Sequence, residues 1–233
     1  MAKSVSACFT SALLTIVSLA LTATVAEAAD WTARGNEPGW QVQMSDTTIT
    51  FSTMEGERFT ITPVPQPLRA DGMQVYSAKA GDDPFTLVVI DKTCSDTMSG
   101  MPHPQSVVVA IGDKPLVGCG GEPVSLLLGD WQVAEIGGKP VIAGSGASLT
   151  FDLDGSLHGN ASCNRFFGSF TLTGEGLAIS DVGATLMACE AASMDQEQRF
   201  LSALGTVQRF ESPAEGTLRL MAADGSAALT LRK

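Results

Sequence analysis

Cysteines are the residues of this sequence whose chemistry is most narrowly defined by type and spacing. Four of the five lie beyond the first thirty residues, at Cys94, Cys119, Cys163 and Cys189. Zinc sites favour closely spaced pairs such as Cys-x-x-Cys, and the sequence contains none. A nucleophilic cysteine needs a histidine base, but neither His103 nor His158 adjoins a cysteine in the sequence. An even number of cysteines in an exported chain instead predicts disulfides.

The spacing of these cysteines favours one pairing over the other two that are possible. Cys94–Cys119 and Cys163–Cys189 each fall within one half of the chain. Each bridge would close a loop of about 26 residues, which the chain-entropy model values at about 3.5 kcal/mol. We therefore predict one disulfide in each half.

A second group of reactive residue types lies in the segment "CSDTMSGMPHP", residues 94–104. Ser95, Asp96, Ser99 and His103 are the residue types of a catalytic triad. However, the Gly-x-Ser-x-Gly elbow is absent, and a loop rich in glycine and proline would hold such groups loosely. We favour a loop anchored by Cys94 and keep Ser99 and His103 as candidate partner-binding residues.

The segment "RGNEPGW", residues 34–40, is a third candidate site. Asn36 and Glu37 could contact a partner, with Trp40 as the apolar anchor. The alternative, which we favour, is a turn whose polar side chains bond the backbone, with Trp40 in the core. For Asn164, likewise, satisfaction of backbone groups at a strand end is favoured over ligand contact.

No other pattern predicts a catalytic or cofactor-binding site. Asp152, Asp154 and Asp181 lack the spacing of a calcium loop, and no phosphate-binding loop is visible. The expectation from sequence is therefore no catalytic residue, no cofactor, no metal and no enzymatic activity.

The first thirty residues have the pattern of a secretory signal peptide. Lys3 precedes an apolar run at residues 12–26, and "AEA" at residues 26–28 predicts cleavage after Ala28. The "VSAC" that ends at Cys8 comes before the apolar run, so a lipoprotein is not expected. We predict an exported protein, periplasmic, with no stable membrane insertion after cleavage.

The charge of the chain limits its partners. The formal net charge is −11. Nucleic acid and anionic lipid bind through lysine and arginine, so neither is expected as a partner. An envelope protein or a small molecule of unknown identity is expected instead.

Most of the sequence predicts short strands joined by glycine turns. The second half shows turns at Asp154-Gly155, Gly174-Glu175-Gly176 and Asp224-Gly225, each between alternating apolar residues. The alternation before Asp154 places Leu149, Phe151 and Leu153 on one face. In the first half, Glu55-Gly56 predicts a hairpin, and two apolar segments before Cys94 and Cys119 predict paired buried strands.

One segment, residues 193–210, predicts a helix that covers the second sheet. Its apolar stripe consists of Phe200, Leu201, Leu204, Val207 and Phe210. Ser193 and Gln196 have the spacing of a capping box. Phe166, Phe167 and Phe170, which lie before this segment, are predicted to be core residues.

The second half resembles the META domain, the family of HslJ-like heat-inducible envelope proteins. The resemblance rests on "LLLGDWQVAEIGGKPV", on "LTFDLDGSLHGNASCNRFFGSF" and on "ATLMACE" with the helix after it. Ser162 stands where the family usually has glycine. The resemblance implies an association with stress tolerance and no particular reaction.

The first half resembles an uncharacterised bacterial exported domain that often precedes a META domain. The resemblance rests on "RGNEPGW", "CSDTMSGMPHP" and "VGCGG". Gly39 stands where that family commonly has an aromatic residue, and His103 where it often has tyrosine.

These observations predict a mainly β (α+β) protein of two small antiparallel domains, the second with one main helix on its sheet. The expected divisions are a signal peptide at residues 1–28, an N-terminal domain at 29–123 and a META-like domain at 124–233. The expected function is non-enzymatic binding of another envelope component in stress tolerance. The alternatives are a proteinaceous inhibitor of a secreted hydrolase such as lysozyme, and a weak hydrolase that uses Ser99 and His103.

Overall fold

The computed structural model describes residues 31–233. The predicted signal peptide and Cys8 lie outside the described residues. Two antiparallel sheets follow one another along the chain, and a short 3-10 helix, Pro123–Leu126, connects them. The predicted mainly antiparallel β class is confirmed, and the described part of the chain contains one α-helix.

The N-terminal half consists of eleven short strands. They are β1 (Trp31–Asn36), β2 (Gly39–Met44), β3 (Ile49–Thr53), β4 (Arg58–Ile61), β5 (Leu68–Ala70), β6 (Met73–Ala80), β7 (Asp83–Ile90), β8 (Cys94–Ser95), β9 (Pro102–His103), β10 (Gln105–Ile111) and β11 (Lys114–Gly120). Nine of them form a sheet in the order β4-β3-β2-β1-β11-β10-β7-β6-β5, whereas β8 and β9 pair only with each other. The predicted hairpin at Glu55-Gly56 and the predicted pairing of the two apolar segments are both confirmed.

Alternation along these strands builds the N-terminal core. Val42, Phe51, Leu87, Val107 and Val109 are fully buried and point to the same side of the sheet. The sheet curves until β4 lies beside β6, so that its concave face closes over this core.

The C-terminal half repeats this architecture with a helix added. Its elements are β12 (Gly129–Ile136), β13 (Lys139–Pro140), β14 (Ser148–Phe151), β15 (Ser156–Asn160), β16 (Arg165–Thr173), β17 (Gly176–Ala184), α1 (Ala191–Leu204), β18 (Val207–Ala214), β19 (Thr217–Ala222) and β20 (Ala227–Arg232). The sheet order is β17-β16-β15-β14-β12-β20-β19-β18, and β13 pairs with β12. The hairpins at the three predicted turns are confirmed.

The edges of the second sheet also approach each other. Strand β17 lies beside β18, and the backbone of Gly176 packs directly against the carbonyl oxygen of Gln208. A side chain at Gly176 would collide with that oxygen, and its φ of +141° favours glycine. The buried residues of this half form a cluster separate from the N-terminal one.

The predicted helix is too long at its C-terminal end. It ends at Leu204, with Gly205 as the C-cap, and Val207 and Phe210 belong to β18. A β-bulge between Val207 and Arg209 shifts the register, so two residues spaced by three both face the core. The helix-like spacing of Val207 and Phe210 is therefore produced by a bulged strand.

The predicted capping box is also wrong. The N-cap is Glu190, without a side-chain cap, and Ser193 lies inside the helix. Gln196 is fully buried, and its Oε1 accepts a hydrogen bond from the Ile142 amide at 2.7 Å. Its role is to fix the loop before β14 against the helix.

Two apolar residues predicted to be inside lie on the surface. Strand β14 ends at Phe151, so Leu153 falls in the turn and is 81% exposed. Phe167 is 61% exposed, because it points away from the face that buries Phe166 and Phe170.

Candidate functional site

The segment 94–103 forms a small hairpin that is covalently attached to the N-terminal sheet. Cys94 of β8 pairs with His103 of β9, and the Cys94–Cys119 disulfide joins β8 to β11. Cys163 and Cys189 form the second disulfide, in the C-terminal half. The disulfide pairing predicted from the spacing is confirmed. The hairpin of residues 94–103 is called the cleft hairpin below.

Asp96 shapes the turn of the cleft hairpin. Its Oδ1 accepts hydrogen bonds from the Met98 amide at 3.0 Å, the Ser99 amide at 2.7 Å and the Ser99 hydroxyl at 2.8 Å. Partial burial raises the pKa of Asp96, but the hydrogen bonds from Ser99, Asn36 and Met98 outweigh it and lower the pKa to about 2. Asp96 is therefore an ionised group that organises the loop backbone.

Asn36 joins the two sequence motifs of the N-terminal half. It lies at the end of β1, and its Nδ2 donates to Asp96 Oδ2 and to Thr97 Oγ1, each at 2.9 Å. The turn after β1 and the cleft hairpin are thereby held together across 60 positions of sequence. In the sequence these were two separate candidate sites, and the fold makes them neighbours.

His103 has one ring nitrogen engaged with the backbone. Its Nδ1 lies 2.9 Å from the carbonyl oxygen of Gly121. Since a carbonyl can only accept, Nδ1 carries the proton, and in the neutral ring Nε2 keeps a lone pair. The half-buried imidazole is thus fixed in orientation.

Ser99 is arranged as a turn residue. Its hydroxyl donates to Asp96 Oδ1 and accepts from the Met101 amide at 3.2 Å. Within residues 31–233, no hydrogen bond connects Ser99 with His103, so the order of contacts differs from that of a Ser-His-Asp triad.

A cleft of about 670 Å³ lies between the two halves of the molecule, beside the cleft hairpin. Its N-terminal wall includes Asn36, Asp96, Ser99 and His103, and its C-terminal wall includes Leu153, Phe170, Leu172 and Thr173. One wall is therefore mainly polar and the other mainly apolar. Such a combination is typical of ligand sites in which a few polar groups set orientation.

Two large apolar side chains mark the cleft on opposite walls. Met98 of the cleft hairpin is 82% exposed and Leu153 of the β14–β15 turn is 81% exposed. The sequence did not identify either as a site residue. The signal that could have found Leu153 is its position directly before Asp154-Gly155, inside the turn that the same dipeptide predicts.

The remaining predicted site residues, Glu37 and Trp40, lie outside the cleft. Glu37 is exposed in the turn between β1 and β2. Trp40 is 3% exposed and stacks on Phe51, with ring centroids 6.4 Å apart. Its position is that of a core residue, as in the favoured alternative from the sequence.

Asn164 lies at a second polar cluster, in the C-terminal half. The side chain is 3% exposed; its Oδ1 accepts from the Met187 amide at 2.7 Å and from the Thr185 hydroxyl at 2.8 Å. Its Nδ2 donates to Glu197 at 3.0 Å, and the Asn164 amide donates to the same carboxylate at 2.6 Å. Together with the Cys163–Cys189 disulfide, this network fixes the segment after β17 against α1.

Residues 31–233 contain neither a helix that could span a membrane nor a cluster of ionisable metal ligands. None of the helices within residues 31–233 has the length and apolar character needed to cross a membrane. In the same range, His, Cys, Asp and Glu side chains form no group of three that could hold a metal ion.

Comparison with known proteins identifies the C-terminal half. Residues 124–233 match the family model of the META domain. No curated protein matches the chain.

Two NMR structures are similar to about half of the chain. One shares 21% identity over 48% of this chain and 94% of its own, with a TM-score of 0.39. The other, from Burkholderia xenovorans, shares 27% identity over 46% of this chain and 78% of its own, with a TM-score of 0.34.

Proposed function

We propose, from the match of residues 124–233 to the family model of the META domain, that the protein is a non-enzymatic, exported protein of the cell envelope. It acts in stress tolerance by binding another envelope component in the cleft between its two halves. The ligand is an envelope protein or a small molecule, and neither nucleic acid nor anionic lipid suits a chain with a net charge of −11.

The observation that carries this proposal is the composition of the cleft. Polar side chains of the cleft hairpin face apolar side chains from β16 and the turn before β15. The cleft hairpin also reaches the other half, because Met101 packs against the C-terminal core and β9 lies against β18. A ligand in this cleft would contact both halves. The binding site would then require both halves of the chain.

The hydrogen bonds within the cleft favour binding over catalysis. The Ser99 hydroxyl is directed to Asp96, and Asp96 accepts hydrogen bonds from within its own loop and from Asn36. These contacts leave the groups preorganised without pairing a nucleophile with a base. Preorganised polar groups lower the entropic cost of binding.

Export and periplasmic location are part of the proposal. The signal-peptide pattern of residues 1–28 supports them, as do the two disulfides, which persist in oxidising compartments. Cell fractionation tests this part: the mature protein is expected in the periplasm, beginning at Ala29. Recovery of the uncleaved chain from the cytosol, with free thiols, would contradict it.

Cross-linking in intact cells tests the binding site. A photoreactive amino acid is placed at Met98 or at Leu153, one on each wall of the cleft. The matched control is Leu68 of β5, which is 74% exposed and does not line the cleft. Both cleft positions are expected to give the same adduct on illumination, and the control position none.

Adducts of equal yield at all three positions would contradict a site in the cleft. The absence of any adduct at the cleft positions, with the protein correctly exported, would contradict partner binding there.

Inhibition of a secreted hydrolase such as lysozyme is the second candidate function. It is favoured by the exposed tip of the cleft hairpin, residues 97–100, whose backbone is fixed by Asp96 and anchored by a disulfide. Such a loop can insert into an active-site groove. Purified protein is added to lysozyme in micromolar excess; full lysozyme activity would eliminate this candidate.

A hydrolase that uses Ser99 and His103 has the least support. A serine-directed activity probe, compared between the wild type and Ser99→Ala, tests it. The proposal predicts no labelling of either protein, and labelling of the wild type alone would overturn the non-enzymatic assignment.

A further inference from the structure

Three residues of the cleft hairpin carry side chains that bind soft metal ions. They are Met98, Met101 and His103, all within six positions of the sequence and all lining the same cleft. Thioethers are soft ligands that select Cu(I), and imidazole is also suited to copper. Thioethers bind hard cations such as Mg²⁺ and Ca²⁺ poorly.

We propose that Met98, Met101 and His103 form a binding site for a soft monovalent cation, Cu(I). This inference departs from the sequence-based expectation that the protein holds no metal. It goes beyond the proposed partner binding and does not depend on it.

The orientation of His103 supports the proposal. Histidines that bind a metal through one ring nitrogen usually donate the other N–H to a carboxylate or a backbone carbonyl. His103 has this arrangement already, because Nδ1 donates to the Gly121 carbonyl and Nε2 keeps its lone pair. The imidazole is therefore prepared to donate Nε2 to a cation in the cleft.

The exposure of Met98 supports it further. A methionine that is 82% exposed gains little from burial, yet its backbone is held by the bond from its amide to Asp96. The fixed turn keeps this thioether beside the cleft. Met101 is half-buried, and its side chain reaches both the C-terminal core and the cleft.

The carboxylate of Asp96, which also lines the cleft, has a different role. Asp96 is occupied as a hydrogen-bond acceptor by Met98, Ser99 and Asn36, so its carboxylate is committed to the turn. With three neutral ligands, the complex itself carries the single positive charge of Cu(I), while the charged side chains of Arg34, Asp96 and Glu122 line the same cleft. The binding step changes no oxidation state and breaks no covalent bond.

Competition against a chromophoric Cu(I) chelator tests the proposal. The full chain carries Cys8→Ser, so that the side chain of Cys8 cannot contribute a soft ligand, and copper is kept as Cu(I) with ascorbate in the absence of oxygen. The wild-type sequence in this background is expected to withdraw one equivalent of Cu(I) from the chelator. The Met98→Leu/Met101→Leu variant keeps the side-chain volume and is expected to bind at least tenfold more weakly.

A second double variant is the matched control. Met54→Leu/Met187→Leu removes two thioethers that are 90% and 61% exposed and do not line the cleft, and its affinity is expected to equal that of the parent. His103→Asn keeps an N–H that can reach the Gly121 carbonyl, removes Nε2, and is expected to weaken binding at least tenfold.

The methionine methyl signals in a proton–carbon NMR spectrum, recorded with Ag(I), provide an independent measurement. The signals of Met98 and Met101 are expected to shift on addition of one equivalent, and those of Met54 and Met187 to stay in place. Equal loss of affinity in both double variants, equal binding of Zn(II), or no binding at all would overturn the proposal.

Discussion

Asp96 is the residue on which the shape of the cleft hairpin depends. The Asp96→Asn variant keeps the size of the side chain and removes its charge. Hydrogen bonds to a charged group are worth about 1.5–3 kcal/mol and neutral ones about 0.5–1.5 kcal/mol. After solvent screening of this partly exposed group, we expect the free energy of unfolding to fall by about 1 kcal/mol at pH 7.

The effect of this substitution should depend on pH. The folded-state pKa of Asp96, about 2, lies below its ordinary value of 3.8, so folding is stabilised by the ionised form. That stabilisation is complete above about pH 5 and is lost as the pH falls through the unfolded-state value of 3.8 and then through about 2. Urea unfolding in metal-free buffer should therefore show the difference between wild type and Asp96→Asn shrinking over this range. A difference that is constant from pH 7 to pH 2 would contradict the role of the charge.

A second prediction for a single residue concerns the contribution of Asn164 to stability. Asn164→Ala removes the acceptor of the Met187 amide and of the Thr185 hydroxyl, and it leaves the Glu197 carboxylate with only the backbone amide of residue 164, at a position that is 3% exposed. We expect the free energy of unfolding to fall by about 2–4 kcal/mol.

Asn160→Ala is the control for Asn164→Ala. Asn160 is half-buried and accepts a hydrogen bond from the Ser162 amide at 2.9 Å, so its replacement is expected to cost about 1 kcal/mol or less. Chemical denaturation of both variants measures the two values. Equal losses of unfolding free energy would show that the hydrogen bonds of Asn164 stabilise the fold no more than the single hydrogen bond of Asn160.

At the scale of elements, strand β16 places two neighbouring phenylalanines in opposite environments. Phe166 is 2% exposed and lies 5.1 Å from Phe200 between ring centroids, whereas Phe167 is 61% exposed. Phe166→Ala is expected to lower the free energy of unfolding by about 3–5 kcal/mol, and Phe167→Ala by less than about 1 kcal/mol. Thermal and urea unfolding of the pair measures this contrast; a reversed order would mean that β16 is shifted by one residue.

Local sequence patterns predicted most of the elements, because Asp-Gly and Gly-x-Gly turns act over a few residues. These patterns predicted the wrong structure where a local irregularity changes the spacing of buried residues along the chain. The bulge at Val207 and Arg209 gives a strand the spacing of a helix, and the early end of β14 moves Leu153 into a turn. Neither event has a signal in binary patterning, since both depend on how neighbouring strands pair.

The site was predictable only in parts. The residue types at Asn36, Ser99 and His103 were recognisable, and the disulfides followed from the spacing of the cysteines. The contact between Asn36 and Asp96 spans 60 positions, and the apolar wall comes from the other half of the chain. The first feature depends on the position of the cleft hairpin beside the end of β1, and the second on the arrangement of the two halves; no short motif specifies either.

At the scale of the whole molecule, each half has its own buried cluster and its own disulfide. The cleft hairpin connects them, since it is bound to β11 through Cys94 and rests on the second half through Met101. The division of the chain at residues 123 and 124 remains a prediction. The contacts of the hairpin explain how two separately packed cores can present one binding surface.

The central claim is that both walls of the cleft contact one ligand, and the affinity of the captured envelope component tests it most directly. Isothermal titration compares the wild type with Met98→Trp on one wall and Thr173→Trp on the other. The controls are Leu68→Trp and Thr60→Trp, at exposed positions that do not line the cleft. The account predicts at least a tenfold loss of affinity for each cleft variant and wild-type affinity for both controls. Unchanged affinity in both cleft variants, or a loss confined to one wall, would contradict it.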